Sequence, residues 1–149
     1  MKETMVKNAE KVSGNNVEFW QVPEGQVPDV QSMADVLMLP VKKGNASTSI
    51  PSKLPAYMFS AKPVLASVDE DSDTALAIIN ADCGFVVEPE NAESLALIMK
   101  HIYNMDKTEL EKLGRKGRNY ALLNFSKKAN LQKVVSVVEN FVYNGNKKD

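Results

Sequence analysis

The chain has 149 residues, 44% apolar and 25% charged, with a formal net charge of −1 and a pI near 5.9. This excludes disordered, collagen-like and disulfide-scaffold classes, and it gives no basic surplus that calls for nucleic acid or an anionic membrane. The length fits one domain able to bury about 70% of its unfolded surface, the single Cys83 suits a reducing compartment, and no apolar run or signal-peptide core predicts membrane insertion or export.

Met5, Val6, Ala9 and Val12 stand at helical spacing, so a helix is predicted from Met1 to about Gly14. Asn16–Gln21 reads as a short strand. A Pro- and Gly-containing stretch, Val22–Asp29, leads to a short helical piece ending near Met33. Asp35–Leu39 is a near-continuous apolar run of the kind buried on both faces in parallel sheets. Lys42–Ile50 is polar and loop-like. A helix follows from about Ser52 to Ser60, then a strand at Pro63–Ser67, a helix at Ser72–Ala81 and a strand at Gly84–Val87.

Three helices close the chain. The first starts at the N-cap Asn91 and lines up Leu95, Ile98, Ile102 and Met105. The second is predicted to start at Thr108, with Glu111 completing a capping box. The third starts at Ser126 and carries Leu131, Val134, Val135, Val138, Phe141 and Val142 at the helical period. The polar tail Asn144–Asp149 is predicted to be disordered. Four strands separated by helices predict an α/β fold with an open, mostly parallel sheet, in which ligands bind beyond the carboxyl ends of the strands.

The junction Asn45–Lys53 (NASTSIPSK) follows a buried strand and opens a helix. Free amides there favour anions, Thr48, Ser49 and Ser52 add hydroxyls, and Lys53 adds a cation, so a diphosphate suits it. An ordinary capped helix start in an α/β fold has the same local pattern. With Ser52 as N-cap, Pro55 falls in the first turn, where its missing N–H costs nothing. His101 reads as a partly buried structural histidine, Cys83 and Trp20 as packing residues. Asp69, Glu70, Asp71 and Asp73 read as a solvated loop at a helix N-terminus. Lys112, Arg115, Lys116 and Arg118 read as a solvated helix face. A phospho-receiver domain fails on chemistry, because the strand after Asp35 ends in Pro40 rather than an acceptor aspartate.

Read together, "ADVLMLP", "SIPSKLPAYMFSAKPVLAS", "CGFVVEPENAESLALIM" and "LGRKGRNYALLNFS" resemble successive blocks of the C-terminal domain of family 4 glycosyltransferases. These are retaining sugar transferases built from two facing Rossmann-like domains, the GT-B architecture. The Pro51-Ser52-Lys53-Leu54 segment with Tyr57 resembles bacterial enzymes that build surface polysaccharides. The resemblance spans nearly the whole chain. It implies one partial, Rossmann-like domain over residues 1–149, truncated at the N-terminus, with about four strands.

The resemblance further implies a nucleotide-sugar donor as substrate, with no cofactor and no metal. Val22 matches the position whose backbone contacts the base. Thr48, Ser49, Ile50, Pro51, Ser52 and Lys53 match the segment that meets the diphosphate and sugar. It implies a cytoplasmic, membrane-peripheral parent enzyme in polysaccharide biosynthesis, and an acceptor site in an N-terminal domain that is not among these residues. The chain alone is therefore expected to be inactive, and no catalytic residue carries over. The sequence departs from the pattern where two glutamates are common, at Thr48 and Ala56, and where glycine is common, at Ala61 and Trp20. Without the two preceding strands, Val17–Trp20 lacks neighbours, which predicts either local repair of the sheet or pairing of edges between copies. The alternative expectation is a non-catalytic interaction domain that has lost donor binding.

Overall fold

A computed structural model describes residues 2–12, 16–45 and 50–145. In chain order the elements are α1 (Lys2–Val12), α2 (Val27–Met33), β1 (Leu37–Pro40), α3 (Lys53–Phe59), β2 (Val64–Ser67), α4 (Asp73–Ala81), β3 (Gly84–Val87), α5 (Ala92–Tyr103), α6 (Lys107–Asn124) and α7 (Lys127–Gly145). The strands form one parallel sheet in the order β1-β2-β3, with Leu39 beside Ala66 and Ala66 beside Val86. The α/β, parallel architecture is as expected. Among the described residues, no helix is long and apolar enough to cross a membrane.

Among the described residues the sheet has three strands, not four. Asn16–Gln21 forms no strand and is bonded to none, so the sheet is not repaired by this segment. Apart from Phe19, its residues cover no surface. Val17 and Trp20 lie largely in solvent, and Trp20 Nε1 donates to Glu18 Oε2 at 2.7 Å within the segment itself. Aromatic and β-branched residues favour strands by packing against neighbours, and of this segment only Phe19 is half-buried.

Central strand β2 (VLAS) is buried at all four positions, as a strand covered on both faces must be. Period-two alternation then divides the core. Leu39, Val64 and Ala66 face Leu54 and Met58 of α3, Ile78 of α4 and Ala121 of α6. Leu65 and Val87 face Ile102 of α5, with Phe85, Leu95 and Ile98 packed alongside. Helix α6 carries small residues at Gly114, Gly117 and Ala121, all buried. A Cβ on Gly114 would stand 2.0 Å from the Ala61 carbonyl oxygen, and one on Gly117 would stand 2.9 Å from Cys83 Cβ. The helix thus lies directly on the backbone between α3 and β2.

Three helix starts follow the sequence signals. The side chains of Ser72, Asn91 and Ser126 accept from the amides of Ala75, Ser94 and Ala129. The expected cap at Thr108 is corrected: α6 begins at Lys107, with Asp106 in the cap position. Aspartate is a cap former in its own right, and the amides of Glu109 and Leu110 both donate to its carbonyl, so the helix starts before Thr108. The disordered tail expected from Asn144 is also corrected in part, since α7 runs to Gly145; residues 146–149 lie outside the described residues.

Ala61 adopts φ +54°, the left-handed region that costs an L-residue about 1–2 kcal/mol. Ala61→Gly is expected to raise stability by about 1 kcal/mol, read from the urea midpoint at unchanged slope. An unchanged or lower midpoint counts against the strain.

Cys83 is fully buried in the core, as expected of a packing residue. Burial, helped by the neighbouring Asp82 carboxylate, pushes its thiol up to about 12 from an ordinary 9.0. The folded chain therefore keeps a proton that the unfolded chain releases. Its contribution is complete below pH ~9 and is lost as pH rises from about 9 toward about 12. Burial also raises Tyr57, with the same sign at higher pH. Stability is expected to fall through this window, and Cys83→Ala to flatten the fall. An equally steep curve in the variant would refute the assignment.

Candidate functional site

The carboxyl ends of the three strands open into loops that are tied to one another. After β1, the Gly44 amide donates to Asp69 Oδ2 of the loop after β2 at 2.8 Å. Lys43 Nζ pairs with Glu88 Oε1 of the loop after β3 at 3.3 Å. Both partners of that pair are exposed, so it orders the loops more than it stabilises the fold. Ser72 Oγ donates to the Asp69 carbonyl at 2.6 Å, fixing the start of α4.

Helix α3 begins where the loop after β1 ends. Ser52 is its N-cap residue, as expected, with Pro55 inside the first turn. Ser52 has helical backbone angles and makes no side-chain cap bond. The Leu54 amide donates to the Pro51 carbonyl at 2.9 Å, and Pro55 has no N–H. Among the described residues, the amides of Ser52 and Lys53 carry no such bond, and both side chains are exposed. Lys53 makes no ion pair among the described residues.

The expected site residues are thus only partly brought together. Ser52 and Lys53 present groups to solvent at the loop end of α3. Pro51 is half-buried beside them, and half-buried Ile50 packs against the core, which anchors the segment rather than offering a side chain to a ligand. Thr48 and Ser49 lie outside the described residues. Val22 is half-buried in the irregular segment before α2, and no hydrogen bond links it to Ile50–Lys53. That segment is fastened elsewhere: Ser60 Oγ at the end of α3 donates to Gln31 Oε1 of α2 at 3.1 Å. Ala56 is an exposed helix residue, so no carboxylate stands at that position.

Negative charge gathers at this end of the sheet beyond the loop of Asp69, Glu70, Asp71 and Asp73. Asp69, Glu70, Asp71 and Glu88 line one hollow of about 520 Å³ beside Pro89. Among the described residues no group of carboxylates, histidines and cysteines is arranged to hold a metal ion. His101 is corrected from partly buried to exposed, its ring meeting Phe85 edge-on at 5.7 Å. A second, apolar groove of about 560 Å³ lies on the α5 side of the sheet, lined by Val36, Met38, Leu65, Ile102, Met105 and Leu110 among others. It had no signal in the sequence, because its residues come from four separate segments.

No protein family, curated protein or solved structure matches the chain.

Proposed function

We propose that the chain binds the diphosphate of a nucleotide-sugar donor at the start of α3, as the donor-binding half of a retaining sugar transferase. One observation carries the reading. A parallel sheet leads from the carboxyl end of β1 to the Ile50–Lys53 segment, where the amides of Ser52 and Lys53 carry no backbone bond among the described residues and the Ser52 and Lys53 side chains are exposed. Ligands of open parallel sheets collect at this end of the strands, and a diphosphate matches these donors. The carboxylates of Asp69 and its neighbours sit at the same end and suit hydroxyl groups of a ribose or sugar, which they can accept from. The transferred sugar would leave a diphosphate whose charge these donors stabilise.

A second reading is a non-catalytic interaction domain. It draws on the acidic hollow, which repels a polyanion, and on Thr48 and Ala56 where glutamates are common in the resembling family. Isothermal titration with nucleoside diphosphates and nucleotide sugars separates the two. Donor binding is expected as saturable heat with Kd in the range of about 10⁻⁶–10⁻³ M, weakened roughly tenfold by Lys53→Ala. No heat up to millimolar ligand supports the second reading.

A further inference from the structure

Helix α7 leaves its apolar stripe uncovered. Leu131, Val134, Val135, Val138, Phe141 and Val142 are between 45% and 81% exposed. Among the described residues, only α6, which precedes it, makes more than slight contact with it. Six large apolar residues on one face over three turns are far more than scattered surface hydrophobics, and such a stripe marks an interface.

We propose that this stripe pairs with the same stripe of a second copy of the chain, the two α7 helices running antiparallel. The spacing is that of a two-helix seam, with residues at i, i+3, i+4, i+7, i+10 and i+11 from Leu131. Covering the stripe removes about 600 Å² per copy and about 1,200 Å² for the pair, the lower bound for a stable specific interface. A self-complementary patch closes with two-fold symmetry and needs no other surface.

Charge sets the direction. Lys127, Lys128 and Lys133 lie in the first half of α7, and Glu139 in the second. Lys127 stands four residues before Leu131, on the line of the stripe. A parallel pair would place two Lys127 ammonium groups opposite one another. An antiparallel pair separates the lysines and opposes the helix dipoles. Centred on Ser136, it puts Val134 against Val138 and Leu131 against Phe141 of the other copy.

The β1 edge competes poorly for this role. In β1 the amides of Leu37 and Val41 donate toward β2, so Met38 and Pro40 face the open edge, and proline has no N–H to give.

Sedimentation of the full chain across about 5–500 µM tests the proposal. A mass rising to about twice 16.4 kDa is expected, with Val134→Glu plus Val138→Glu returning the monomer. Both residues are exposed in the single chain, so the double variant is expected to keep its helical circular dichroism and its melting transition. Direction is read by disulfide cross-linking, with Cys83 buried and silent. A mixture of Val134→Cys and Val138→Cys chains is expected to cross-link at least tenfold more than Val134→Cys alone. A monomer at every concentration, a dimer that survives the double substitution, self-linking of Val134→Cys alone, or a monomer that instead sediments with anionic phospholipid vesicles overturns the proposal.

Discussion

Gly114→Ala is expected to destabilise the domain by about 3–5 kcal/mol, lowering its melting temperature by roughly 10 °C or more. The added methyl would stand 2.0 Å from the Ala61 carbonyl oxygen, 2.6 Å from its carbon and 3.1 Å from Lys62 Cα. All three are backbone atoms. No side chain can rotate away, so either α6 lifts off or the turn between α3 and β2 moves. Lifting α6 would uncover Ala121 and pull Gly117 from Cys83 and Met58, which opens one whole side of the larger core. Arg115→Ala, one residue on, is the control: its pair with Glu111 at 3.5 Å is exposed, and the change is expected to stay within about 0.5 kcal/mol. Urea unfolding of the two variants checks the contrast. A Gly114→Ala protein as stable as the control would mean that α6 does not sit on this turn.

Gly84→Ala is expected to cost a similar amount by a different route. Gly84 opens β3 directly beside Val64, and its Cβ would lie 1.9 Å from the Val64 carbonyl oxygen. Val64 begins the central strand, so the clash pushes β3 away at its first rung. The bond from the Val64 amide to the Cys83 carbonyl, 3.1 Å long, is the first to lengthen. A parallel ladder shares its bonds evenly along the strands, so loss at one end of a four-residue strand leaves little to hold the rest. Hydrogen exchange is the suitable probe. Amides of Val64 and Val68, which donate to β3-side carbonyls, are expected to lose protection before those paired with β1. Uniform loss across the sheet would instead indicate global unfolding without a local breach.

The parallel core was legible because its strands are short apolar runs flanked by turn residues. Capping signals at Ser72, Asn91 and Ser126 placed three helices within a residue. What failed was whatever depends on neighbours distant in sequence. Asn16–Gln21 has strand composition but nothing to pair with. The Gly114, Gly117 and Ala121 stripe carries no signal in the sequence, because its reason is the Ala61 carbonyl packed against it. The stripe on α7 reads as core by its period, yet the fold offers no surface to cover it. At the candidate site, the positions of Ser52 and Pro55 were legible from local rules alone. The acidic hollow was not, since it joins the loop after β2 to the loop after β3.

Pro40 carries a consequence for how the protein behaves when crowded. A short apolar strand at a sheet edge is ordinarily a template on which further chains stack into fibrils. Here the template is defective at its last rung, because the position facing outward lacks a donor. Stacking of a further chain on the β1 edge is therefore hindered at that rung, which leaves β3 as the edge with a full set of donors. Aggregation through β1 is then left to unfolded chains, and its rate should follow the unfolded fraction rather than the total concentration of folded protein.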